Sequence, residues 1–188
     1  MQEKQEYVLS IAKANALAFA FIVPIGFLLI VPFWLLHGFE AINFRSLSGE
    51  HVLFGWLGFF AAVTAGIFVH ELLHALGWVF FTRNGWRSIR FGVKWEYLTP
   101  YCHCTVPLQR IPFIIGAALP LLVLGLAPVA ISYFNGSFAV WFFGFFYTIA
   151  AGGDILAIWM LRKVKKGQWV QDHPSELGFF VQDEKSVD

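Results

Sequence analysis

The chain has 188 residues, of which 58% are apolar and 13% charged, against roughly 45–50% and about 25% in soluble domains. With 22 Phe and 8 Trp it carries more apolar surface than one soluble domain of this size can bury, which excludes that class and points to an integral membrane protein. The net charge of +1 excludes a general attraction to nucleic acid, and Cys102 and Cys104, too close to be bridged without strain, exclude a disulfide framework.

The opening segment "MQEKQEYVLSIAKAN" has mixed charges and no small-residue cleavage site after it, which argues against a removable leader. Four apolar runs follow, at residues 14–37, 52–81, 111–133 and 137–161. Each reaches the roughly 20 residues that a helix needs to cross the hydrocarbon core. None contains Lys or Arg. Pro24 and Pro32 in the first run, and Pro120 and Pro128 in the third, predict kinks. Four spans put both termini on one side of the membrane. On that side fall twelve of the thirteen Lys and Arg residues, and only Arg45 falls on the other. The basic side is expected to be cytoplasmic, and the second and fourth spans then run parallel.

Between the second and third runs, "SIRFGVKWEY" (88–97) alternates polar and apolar residues, and "YCHCTVPL" (101–108) continues in strand formers. This predicts a small cytoplasmic β-hairpin over residues 86–108. The expected fold class is all-α integral membrane: four transmembrane helices with that hairpin between the second and third. A single domain covers residues 1–181, and residues 182–188 form a disordered tail.

The second run contains "FVHELLHALG" (68–77). Ionisable groups are costly in lipid, so something must offset His70, Glu71 and His74. Their spacing is H-E-x-x-H. On a helix the two histidines share a face and can reach one metal ion, while Glu71 can reach a water on it. A catalytic zinc needs a third protein ligand. Of twelve Asp and Glu residues, only Glu71 and Asp154 lie within the apolar runs. Asp154 sits in "AAGGDILAIW", eight residues before Arg162, and His74 is nine residues before Arg83. At about 1.5 Å per residue the two depths agree within roughly one helical turn, so the parallel spans can bring His70, His74 and Asp154 to one cation. Gly152 and Gly153 suit close helix approach. Zinc would lower the pKa of a bound water to about 7, and Glu71 would act as general base in peptide hydrolysis. The same ligands also suit iron(II), and Asp172 and His173 are the next candidates for the third ligand.

"HELLHALG" followed by a glycine-preceded aspartate in a later parallel span resembles the site-2 protease group of intramembrane zinc peptidases. Those enzymes usually place Asn-Pro-Asp-Gly or Leu-Asp-Gly around the aspartate, where this chain has Gly-Gly-Asp-Ile. More closely, over roughly residues 15–181, the chain is similar to the small bacterial membrane proteins called putative zincin peptidases, in which four spans, a cysteine-containing hairpin ("YCHC" here), "GGD" and a tail "DHPSELG" occur in this order. The resemblance implies one Zn2+ per chain held by His70, His74 and Asp154, catalysis by Glu71, a peptide or membrane-protein substrate and a bacterial plasma membrane. It leaves the oligomeric state open.

The remaining features admit two readings each. Cys102 and Cys104 are expected as small buried residues, with His103 between them on the opposite strand face; contact with substrate or a redox response is the alternative. Asp172 and His173 either sit beside the site or belong to a helix cap or turn with Pro174 and Ser175. Trp34, Trp56, Trp78 and Trp141 read as interfacial or lipid-facing aromatics. His37 and His51 read as interfacial, and Asn135–Gly136–Ser137 as a turn. Two other functions remain open: a catalytically silent zinc-binding scaffold, and a metal-handling membrane protein.

Overall fold

The computed structural model describes residues 5–9, 11–44, 52–95, 99–165, 167–173 and 177–183. Lys4, Arg45, His51, Lys166, Pro174, Ser175 and Lys185 lie outside the described residues. The chain opens with strand β1 (Gln5–Leu9) and helix α1 (Ile11–His37), followed by α2 (Val52–Val79). Strands β2 (Ile89–Lys94), β3 (Thr99–Cys104) and β4 (Leu108–Gln109) lead into α3 (Arg110–Pro120). A π-helical turn, Leu121–Leu126, joins α3 to α4 (Ala127–Asn135). Then come α5 (Phe138–Ala150), α6 (Gly152–Met160), β5 (Gln168–Asp172) and β6 (Leu177–Asp183).

Among the described residues three helices are long and apolar enough to cross a bilayer: α1 over Ala20–His37, α2, and the continuous Arg110–Asn135. The fourth apolar run does not form one straight helix. It breaks at Ala151, and Phe138–Ala150 and Gly152–Lys163 meet at a 42° bend. Two glycines in a row give the backbone little reason to continue a helix across this point. Ala151 leaves the helical region at φ −75°, ψ 9°, and α6 restarts with Asp154 in its first turn. The prolines act unequally. Helix α1 remains helical through Pro24 and Pro32. The third run widens to π geometry directly after Pro120 and returns to α just before Pro128, whose missing N–H leaves a carbonyl one turn back without its usual donor. At the far end, Gly136 closes α4 in the left-handed region (φ 68°) and Ser137 caps α5, accepting from the Val140 N–H.

The all-α, four-span expectation is corrected by the strands. Among the described residues six strands form two antiparallel sheets, one of four strands in the order β1-β6-β5-β4 and one a two-stranded β2–β3 sheet. In the larger sheet Tyr7 pairs with Phe179, Val170 with Val181, and Leu108 with Val170. Residues expected in a disordered tail, Gln182 and Asp183, belong to β6; residues 184–188 lie outside the described residues. In the smaller sheet Phe91 pairs with Cys102 and Ile89 with Cys104.

All six strands attach to the same ends of the helices. β1 precedes α1, β2–β4 lie between α2 and α3, and β5–β6 follow α6. Here the main core forms: Trp78, Phe113, Leu108, Met160, Leu161, Val170, Phe179 and Val181 are all buried together. Phe179 and Val181 alternate onto one sheet face, as strand geometry requires. Full burial of such side chains away from water stabilises by about 1.5–3 kcal/mol each. A smaller core at the opposite end packs Phe33, Val129 and Trp141. Between the two, large apolar side chains face outward, Phe27 and Leu28 each 70% exposed.

Candidate metal centre

His70, Glu71 and His74 occupy the second half of α2, and the 3.6-residue period sets the two imidazoles one above the other. Their ring centroids are 4.9 Å apart at 79°. Asp154 reaches both from the first turn of α6. Its Oδ2 lies 3.3 Å from His70 Nε2 and its Oδ1 lies 3.3 Å from His74 Nε2. A helix N-terminus favours a carboxylate there, so the Gly-Gly break both bends the chain and supplies a positive helix end to Asp154.

Interactions on α3 hold His74. Its Nδ1–H donates to the Gly116 carbonyl at 3.0 Å. The Trp78 ring stacks on the imidazole at 5.3 Å and 15°, and Trp78 Nε1–H donates to the Phe113 carbonyl at 3.1 Å. Phe113 in turn meets Phe179 of β6 at 5.9 Å. A continuous run of rings thus ties the histidine to the sheet. Gly77 and Gly116 make the approach possible, because a Cβ on Gly77 would lie 2.4 Å from Gly116 Cα. Trp78 was expected as an interfacial or lipid-facing residue. It is buried (4% exposed), because helix packing selected that face. Trp141 is buried too and donates to the Leu29 carbonyl, while Trp34 is exposed as expected.

The donor chemistry fits a metal. The ligand atoms of His70, His74 and Asp154 all lie within 4.8 Å of one another. Two ligands on a tetrahedral zinc, each at about 2.0–2.2 Å, are about 3.3–3.6 Å apart, the spacing found here from each imidazole to the carboxylate. Because the Gly116 carbonyl can only accept, Nδ1 of His74 carries a proton and Nε2 of the neutral ring presents a lone pair. A lone pair facing a carboxylate oxygen requires a cation or an added proton between them. The acceptor on Nδ1 is the kind of outer partner that orients metal-ligating histidines.

Strand β3 lies against this centre. The Cys102 backbone faces the Glu71 carboxylate. His103 Nδ1 and Asp172 Oδ2 of β5 are 3.0 Å apart, and the Asp172 charge acts on His74, Asp154 and Cys102. Burial raises the Asp172 carboxyl above its ordinary range, with His103 opposing. Burial, together with the charges of Glu71 and Asp172, pushes the Cys102 thiol far up, and burial pushes Cys104 up to about 11. Both thiols are therefore neutral small core residues, poor nucleophiles at neutral pH. His173 does not join this group. Its Nε2 pairs with Glu6 Oε1 of β1 at 3.1 Å, and its ring rests on Phe180. Asp172 lies in a strand rather than at a helix cap.

A family model described as putative zincin peptidase matches residues 63–169, more than half of the chain, and the chain belongs to that family. The matched stretch includes His70, Glu71, His74, β2, β3 and Asp154. Neither a curated protein nor a solved structure matches the chain.

Proposed function

We propose that this member of the putative zincin peptidase family is a zinc-dependent peptidase of the membrane that hydrolyses a peptide bond within or beside the bilayer. The convergence of His70, His74 and Asp154 beside Glu71 carries the proposal. The three side chains would hold one Zn2+, and the bound ion would supply Lewis-acid activation of a water and offset the carboxylate charge.

The rest is the work of the chain's own groups. Glu71 neighbours His70 on α2, so its carboxylate stands beside the ligand set and faces the Cys102 backbone. It accepts the proton of the attacking water and returns it to the leaving amine. The His74 tautomer is fixed by the Gly116 carbonyl, which keeps Nε2 turned toward Asp154. Asp172 fixes the ring of His103 through Nδ1–H, leaving the His103 Nε2 lone pair to accept a hydrogen bond from a substrate backbone N–H. The larger sheet and the β2–β3 hairpin cover one end of the helices. The excess of Lys and Arg on that end supports placing it, with both chain ends, in the cytoplasm.

The test compares wild type with Glu71→Gln in membranes of the same host. Peptide fragments of membrane proteins are read by mass spectrometry, and zinc is measured in both purified proteins. Removing a general base costs about 10²–10⁴-fold in rate. Fragments specific to the wild type, absent in a Glu71→Gln protein that keeps its zinc, are expected. Identical fragment patterns in the two would remove the peptidase reading.

A further inference from the structure

A second recognition feature lies away from the metal centre. A cleft of about 540 Å³ opens between the first turns of α3 and the turn that enters β5. Arg110 and Lys165 stand on its walls, with Gln168 and Trp169 from β5 and with Ile111 and Ile114 below them on α3. Among the described residues no carboxylate lines it. Among the described residues neither Arg110 nor Lys165 has an acidic partner within ion-pair distance. Asp183 touches the lining through Gln168, its Oδ1 accepting from Gln168 Nε2 at 3.2 Å. Gln168 Oε1 in turn accepts from the Lys165 backbone N–H.

The level of this cleft identifies its ligand. Arg110 is the first residue of the apolar stretch Arg110–Asn135. Lys165 follows the turn Leu161–Lys163 that ends α6. Both cations therefore stand where apolar helix surface gives way to polar sheet. Beside them, the Arg162 guanidinium sits 3.5 Å over the exposed Trp159 ring, the pairing of a cation and an aromatic that marks an interface. Ile111 is 69% exposed and runs from the cleft into the outward-facing apolar surface. Cations above and bare aliphatic wall below are complementary to a phosphodiester carrying acyl chains. A free anion would use the upper half alone.

We infer that this cleft binds the headgroup of an anionic membrane phospholipid, its phosphate between Arg110 and Lys165 and its acyl chains along Ile111 and Ile114. The inference rests on the membrane reading above and is independent of the peptidase chemistry. It would seat the chain at a fixed depth and hold the α3 end of the centre, which carries Phe113 and Gly116, against the lipid surface.

The test is native mass spectrometry of the full chain released from nanodiscs of phosphatidylglycerol or phosphatidylcholine. Wild type is compared with an Arg110→Gln/Lys165→Gln double variant and with Arg83→Gln/Arg87→Gln, which removes two exposed charges elsewhere. Each cation at an anionic surface contributes about fivefold, so the first variant should bind phosphatidylglycerol about 30-fold more weakly. The second should stay within about twofold of wild type, and the melting temperatures of all three should agree. Equal retention of the two lipids by wild type would overturn the inference. So would an equal loss in both double variants, which would mean a diffuse field. Displacement of the lipid by millimolar inorganic phosphate would overturn it in favour of a free-anion site. Failure of the wild type to assemble into nanodiscs would remove the membrane reading itself.

Discussion

Gly77→Ala tests whether the close approach of α2 and α3 holds the metal centre together. The new Cβ would sit 2.4 Å from Gly116 Cα, where non-bonded carbons rest at about 3.5–4.0 Å. The obstacle is backbone, so the helices must separate by about 1–1.5 Å. The His74 Nδ1–Gly116 O bond, 3.0 Å long and only three residues away on α2, would stretch to about 4 Å, beyond hydrogen-bond reach. Overpacking of this kind costs about 1–3 kcal/mol, and a buried donor left unpaired costs about 1–3 kcal/mol more. The expected loss is about 2–6 kcal/mol of stability, with about 10–100-fold weaker zinc binding as the histidine loses its outer partner. Thermal unfolding in detergent and zinc titration against a chromogenic chelator read the two effects. Gly58→Ala is the control, because its Cβ meets nothing within 4 Å and a better helix former there should be neutral or slightly stabilising. If Gly77→Ala matched Gly58→Ala in both assays, the packing argument would fail.

Two other outcomes follow from the hairpin and its neighbours. Asp172→Ala should lower hydrolysis about tenfold or more while zinc content stays at one per chain, because His103 loses the group that orients it; an Asp172→Ala protein with wild-type rates would remove His103 from the substrate site. The Cys104 thiol, raised by burial from about 9 to about 11, should resist thiol reagents at pH 8 in the folded protein and react on unfolding. The folded state binds the proton more tightly than the unfolded one, so this group's contribution is complete below about pH 9. It falls by about 2–3 kcal/mol as pH rises to about 11. Cys104→Ala should flatten that part of the stability profile, and an unchanged slope would contradict the assignment.

The metal-centre residues were the most legible part of the sequence. The spacing of His70 and His74 needs only local helix geometry, and Asp154 stood out as the other acid in an apolar run. What the sequence concealed was long-range or carried by the backbone. β1 pairs with β6 across almost the whole chain, and neither five-residue "QEYVL" nor "LGFFVQD" shows that the other exists. The Gly-Gly before Asp154 suggested close packing, and it also marks where the helix breaks and restarts. Trp78 was misplaced because every face of an apolar helix looks alike until its neighbour is known. The Gly116 carbonyl that holds His74, and the Cys102 backbone beside Glu71, have no side-chain signature at all.

The most direct test of the three-ligand centre is the metal content of the purified protein, by elemental analysis after extraction without chelators, for wild type beside Asp154→Ala. About one zinc per wild-type chain and almost none in the variant is the expected result. Full zinc in Asp154→Ala, or none in the wild type, would contradict the assignment of His70, His74 and Asp154 as the ligands of a catalytic ion.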